Sequence, residues 1–94
     1  MHTDEVDLII AARSAWKQGE PAKALELLAH CSLVENAGAS FLSGEIHYSS
    51  QNWGAALNCF RRCLQIDPDL TTAQTYVDLI LNILGFFHTD QFNP

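Results

Sequence analysis

Lysine and arginine are scarce in this 94-residue chain: five of them stand against eleven aspartates and glutamates, for a formal net charge of -6. A surface that tracks phosphates needs clustered cations, so nucleic acid is excluded as the expected partner. Long apolar runs are also missing, which excludes a spanning helix, and no membrane partner is expected. The opening Met1-His2-Thr3-Asp4-Glu5 is acidic and lacks the cationic stretch and apolar run of a secretion signal. There are only three cysteines. An odd number argues against a disulfide framework and for a reducing, cytoplasmic setting. No segment alternates apolar and polar residues between turn signals, so no strand is expected. There is no glycine-rich phosphate loop, no Ser/His/Asp order and no paired-carboxylate motif. The expectation is a protein that is not an enzyme and carries no cofactor. A mass of 10.4 kDa leaves room for one modest core, not for a core plus a large cofactor cavity.

What is present is helical. Hydrophobic residues make up 48% of the chain and charged residues 17%, the balance of a globular domain. Gly19-Glu20-Pro21 marks one boundary, since glycine accepts the left-handed turn that ends a helix and proline suits the first turn of the next. Asp67-Pro68-Asp69 marks another, because Pro68 has no amide donor and turns Asp67 away from helix. Between the boundaries the apolar period is near 3.6. Leu8, Ala11, Ala12 and Ala15 face one way on a helix near 4–18, and Ala24, Leu25, Leu28 and Cys31 on one near 21–32. A helix near 38–50 carries Leu42 and Ile46 on one side and Phe41, Glu45 and Tyr48 on another. Trp53, Ala56, Leu57, Phe60, Cys63 and Leu64 define the fourth, with Asn52 as its N-cap. Ala73, Val77, Ile80, Leu81 and Leu84 define a fifth near 71–85, where Thr71 and Gln74 have capping-box spacing. Connections of two to six residues make neighbouring helices antiparallel.

A shift of 32 residues superimposes the chain on itself. Ala24 falls on Ala56, Leu25 on Leu57, Leu28 on Phe60, Cys31 on Cys63, Ala12 on Gly44, Trp16 on Tyr48 and Asn36 on Pro68. A paired-helix unit is thus used twice and closed by a single helix. In the second unit Gly44 lies twelve residues before Ala56, Trp53 three before it, Phe60 four after it and Pro68 eight after Phe60. At these separations the sequence resembles the tetratricopeptide repeat, and the ending Phe92-Asn93-Pro94 resembles short stand-alone bacterial proteins of that type. The first unit keeps Ala12, Gly19, Ala24 and Leu28. Ser40, Ser43 and His47 depart from the family's large aromatic, leucine and tyrosine, which bears on how tightly the third helix packs. The resemblance implies an all-α, right-handed superhelical stack: repeat one about 4–36, repeat two about 37–70, a capping helix about 71–85 and a tail 86–94.

The resemblance also implies that the odd-numbered helices line a concave groove for extended or helical peptides. Groove positions are then Val6, Ile9, Arg13, Trp16 and Lys17 from the first helix, Phe41, Glu45, Tyr48 and Ser49 from the third, and Thr72, Thr75, Leu79, Asn82 and Ile83 from the fifth. Trp16, Phe41 and Tyr48 supply the aromatic surface that carries binding energy at interfaces. Arg13 and Lys17, four apart on one face, either answer an acidic group on a guest or are simply solvated. The expected partner is a protein or peptide. The alternative is a self-associating structural protein. The fifth helix has apolar residues on two faces, and Tyr76, Phe86, Phe87 and Phe92 are its candidates for a homodimer or for a tail that fills the groove. Cys59, Cys63, His30 and His47 lack the knuckle spacing of a structural zinc site, so no metal is expected. Arg61 and Arg62 are expected to point away from the two cysteines as a solvated convex patch, leaving no cation to activate a thiol.

Overall fold

Local backbone signals set the first helix and the turn that follows it. The computed structural model describes residues 4–33 and 35–86; among them it has five helices and no strand. The helices are α1 Glu5–Lys17, α2 Pro21–Leu28, α3 Ala37–Ser49, α4 Trp53–Ile66 and α5 Thr71–Phe86. Asp4 caps α1, its carboxylate accepting from the Val6 amide at 3.0 Å. Glu5 and Asp7 in the first turn and Lys17 in the last suit the helix dipole. Gly19 then takes φ +84°, and the Glu20 amide donates back to the Ala15 carbonyl at 2.9 Å, closing the helix end. Pro21 opens α2.

The 32-residue shift is visible in the backbone. The starts of α1 and α3, their ends, and the starts of α2 and α4 all differ by 32. The turn after α3 copies the turn after α1: Gln51 stands at the Gly19 register with φ +61°, and the Asn52 amide donates to the His47 carbonyl at 2.8 Å. The thiols are copied too. Cys31 Sγ approaches the Glu5 carbonyl at 3.9 Å, and Cys63 Sγ donates to the Ala37 carbonyl at 3.4 Å.

Packing is pairwise and sequential: α1 on α2, α3 on α4, and α4 on α5, with α3 also touching α1 and α2. Two apolar clusters result. Ala12, Ala15, Ala24, Leu28, Cys31, Ala39, Leu42 and Ile46 form the first, and Ala56, Leu57, Phe60, Cys63, Ala73, Val77 and Ile80 the second. α3 serves both, giving Leu42 and Ile46 to the first and Phe41 and Tyr48 to the second. Gly44 makes the α3–α4 contact possible. A Cβ there would lie 2.8 Å from two carbons of the buried Phe60 ring.

Several expectations about helix ends, caps and connections need correction. α2 stops at Leu28 rather than near 32. The Cys31 amide donates to the Leu28 carbonyl in a tightened turn, and Cys31 is buried beyond the helix instead of on its face. The connection to α3 therefore runs over 29–36, longer than two to six residues. It is held by Glu5, whose carboxylate accepts from the Ser32 amide at 3.1 Å and from Asn36 Nδ2 at 2.8 Å. Asn52 occupies the N-cap position of α4, but its side chain lies against His47 Nδ1 at 3.3 Å and caps no amide. At α5 the capping box is not used: Gln74 Nε2 turns forward to donate to Asp78 at 3.0 Å. Two serines of α3 are taken into the interior. Ser40 and Ser43 are buried, and Ser40 Oγ donates to the Leu33 carbonyl at 2.6 Å, satisfying a hydroxyl that the core would otherwise strand.

Candidate functional site

α1, α3 and α5 present three hollows that share lining residues. The first, about 290 Å³, lies over Ile9, Ile10, Arg13, Ser14 and Lys17. The second, about 300 Å³, brings Ile9 and Arg13 together with Ala37, Gly38 and Phe41 of α3 and with Asp67, Leu70 and Thr72. The third, about 370 Å³, is lined by Tyr48, Thr72, Thr75, Tyr76 and Leu79. Ile9 and Arg13 join the first to the second, and Thr72 joins the second to the third.

An aromatic cluster floors the third hollow. Tyr76 stacks on Phe60 at 4.4 Å with the ring planes 3° apart. It meets Phe41 edge-on at 5.8 Å and Tyr48 edge-on at 5.0 Å. Tyr48 in turn meets Trp53 at 5.1 Å, and Phe41 meets Phe60 at 5.4 Å. Edge-to-face contacts place the positive rim of one ring on the negative face of the next, which fixes the rings against one another. The Tyr76 hydroxyl donates to Glu45 Oε2 at 3.2 Å. Burial, then the neighbouring Glu45 carboxylate, push the Tyr76 phenol above its usual range, so it remains a donor. The wall is therefore rigid and apolar, with one oriented carboxylate set into it.

The sequence-derived residues divide accordingly. Ile9, Arg13, Phe41, Tyr48 and Leu79 line the joined hollows, as does Lys17 at their α1 end. Glu45 is half-buried and engaged by Tyr76. Asn82 is exposed and Ile83 half-buried farther along α5. Trp16 packs half-buried against the first core cluster. Tyr76, grouped by sequence with the tail, sits at the centre of the aromatic cluster, because α5 turns that face toward α3 and α4. Phe86 ends α5, while Phe87 and Phe92 lie outside the described residues. Thr72 and Thr75, placed in the groove from sequence, do line the hollows, while sequence reasoning missed Leu70 beside Thr72 in the second. It also missed Trp53 and Phe60 as supports of the aromatic floor, since both read as core periodicity.

A further hollow, about 320 Å³, opens between α2, α3 and α4 beside Leu25, Leu33, Ser43, His47, Cys59 and Arg62. Ser43 and His47 are where the family resemblance fails, and their small or polar side chains leave this space. Arg62 corrects an expectation: it does not point away from Cys59 but sits beside it. Burial raises the Cys59 thiol, with the nearby Arg62 charge pulling the other way. Burial and the neighbouring Cys59 push the Cys63 thiol up to about 11, and burial lowers His47. Protonated thiols are poor nucleophiles and poor metal ligands. No group of three His, Cys, Asp or Glu that could hold a metal ion occurs among the described residues. No helix among them is long and apolar enough to cross a membrane.

Comparison with known families bears on the second hairpin. Residues 37–70 match the tetratricopeptide repeat family, a span that takes in all of α3 and α4. No curated protein and no solved structure matches the chain.

Proposed function

We propose that this chain, which carries a tetratricopeptide repeat at residues 37–70, holds a peptide segment of a partner protein along the joined hollows of α1, α3 and α5. The repeat points to protein–protein interaction or scaffolding as the type of work. The observation that supports a specific groove is the aromatic floor: Phe41, Tyr48 and Tyr76 are locked edge to face beside an open hollow, with Leu79 44% exposed at its rim. Rigid aromatic surface at low entropic cost is the composition of interface hot spots. An apolar or aromatic side chain of the guest enters the Tyr48–Tyr76–Leu79 hollow. An acidic group on it meets Arg13 and Lys17, two of the chain's five cations. Glu45, held by Tyr76, repels a second acid and accepts from a donor on the guest.

Selection from a displayed library of random peptides tests the proposal. Wild type enriches peptides pairing an aromatic or large aliphatic residue with an acidic one. Leu79→Glu, at an exposed position, loses those peptides while keeping its helicity. Enrichment of the same sequences by wild type and by Leu79→Glu would sink the groove reading. The competing reading, a homodimer made by α5 and the segment 87–94, gains support from Leu81, also 44% exposed. In that case deletion of 88–94 changes the mass in solution and opens the groove to a hydrophobic dye.

A further inference from the structure

The large hydrophobic side chains left exposed among the described residues are Val6, Ile10, Leu79 and Leu81, two on the first helix and two on the last. The internal helices have none. The internal repeat explains why. Ile10 stands 32 residues before Leu42. Leu42 is fully buried because the first hairpin covers it; Ile10 is 62% exposed because no hairpin precedes it among the described residues. On α5 the face carrying Gln74, Asp78, Leu81 and Gly85 matches the face that α1 buries against α2, yet no helix among the described residues covers it there.

The two open faces are complementary stripes. On α1, Val6, Ile10, Arg13 and Lys17 are spaced four, three and four residues apart. On α5, Gln74, Asp78, Leu81 and Gly85 have the same spacing. Such stripes are the seams by which helices pair side by side. Set antiparallel, they align in one register: Val6 with Gly85, Ile10 with Leu81, Arg13 with Asp78 and Lys17 with Gln74. The branched valine meets a glycine whose Cβ position has nothing within 4 Å. The isoleucine meets a leucine. The guanidinium meets a carboxylate that Gln74 already orients through Oδ1. The other pairings fail the same test. α5 against α5 sets Asp78 on Leu81, and α1 against α1 sets Ile10 on Arg13 and Val6 on Lys17.

We propose that a second copy of this chain docks head to tail, its α1 stripe lying antiparallel on the α5 stripe of the first, in the seat that a partner helix fills within each hairpin. Such a contact is heterologous: each copy keeps one free end, so growth continues into short chains rather than stopping at a symmetric dimer. One helix seam is a small interface, so association is micromolar or weaker. The inference does not need the groove reading, since its test uses no guest, although the two share Arg13 and Lys17 on α1; on α5, Tyr76 and Leu79 line the third hollow from a different face than the stripe.

The test is the mass in solution of full-length protein by sedimentation velocity, from roughly 1 μM to 1 mM. Wild type gains mass with concentration beyond two copies. Ile10→Glu blocks only the α1 end and Leu81→Glu only the α5 end. Both positions are exposed, and an unchanged circular dichroism melt shows that the fold is kept. Each variant alone is monomeric, with association weakened at least roughly tenfold. Mixed in equal amounts they form a species of twice the chain mass and no larger, through the one intact junction. Arg13→Asp and Asp78→Arg each weaken association, and the two changes in one chain restore it. A wild type that stays monomeric throughout, a mixture that stays monomeric, or an Ile10→Glu variant that dimerises alone would each overturn the proposal.

Discussion

Gly44→Ala should destabilise the protein even though alanine is the better helix former. At an open helical position the exchange gains up to about 1 kcal/mol. At Gly44 the new Cβ would sit 2.8 Å from two carbons of Phe60 and 3.0 Å from a third. The Phe60 ring cannot retreat. It is fully buried, stacked on Tyr76 at 4.4 Å and met edge-on by Phe41 at 5.4 Å. Forcing a methyl into such packing costs about 1–3 kcal/mol, and with the ring pinned the cost falls toward the upper end, so the net loss is up to about 2 kcal/mol, or up to about 16 °C in melting temperature for a domain of this size. The first hairpin supplies the internal control. There Ala12 stands at the Gly44 register and Leu28 at the Phe60 register, both buried in one cluster. Copying that pair as Gly44→Ala with Phe60→Leu should recover much of the loss. The double variant should then be more stable than the sum of the single changes by roughly 1 kcal/mol. Gly54→Ala, where nothing lies within 4 Å, should be neutral or stabilising by about half a kcal/mol. Urea denaturation of the four variants measures all of this. A stabilised Gly44→Ala, or strict additivity with Phe60→Leu, would refute the steric argument.

Gln51 holds φ +61° at the register where the first hairpin has Gly19; Gln51→Gly should raise stability by about 0.5–1 kcal/mol in the same urea assay. Glu5→Ala strands the Ser32 amide and the Asn36 side chain, and should cost about 1–3 kcal/mol and speed hydrogen exchange across 29–36. Stability should fall on the alkaline side: the Cys63 thiol is raised from 9.0 to about 11, so its contribution is complete below pH 9 and is lost as pH climbs to about 11, where the unfolded thiol ionises more readily. Cys63→Ala should flatten that limb of the denaturation-midpoint profile measured under reductant. On the acid side, His47 is lowered by burial, so its contribution is complete above pH 6.5 and is lost as pH falls through its folded value.

Much of the candidate site was legible because helical period assigns faces. Phe41, Tyr48 and Leu79 share faces by spacing, the repeat resemblance implied that those faces are the groove side, and the three line the joined hollows. Tyr76 was not legible. From sequence it is one more apolar residue on a helix with too many, and only the way α5 lies across α3 and α4 brings it to Glu45 and the aromatic floor. Trp16 shows the reverse. Its residue type suggested binding surface, but the first cluster takes up half of it as packing. Arg62 was placed away from Cys59, yet residues three apart on a helix are neighbours, and the two line one hollow.

The amino-acid sequence by itself determined the helices, their breaks and the 32-residue repetition, because these follow from local propensity, turn chemistry and apolar period. It also marked the departures at Ser40, Ser43 and His47. The tertiary structure alone decided where α2 stops, since that depends on Glu5 reaching 27 and 31 residues along the chain to Ser32 and Asn36. It alone decided which aromatics are floor and which are core, and which helix faces go uncovered. Local backbone preference is settled within a turn or two of helix; contact between helices depends on which side chains occupy the same space.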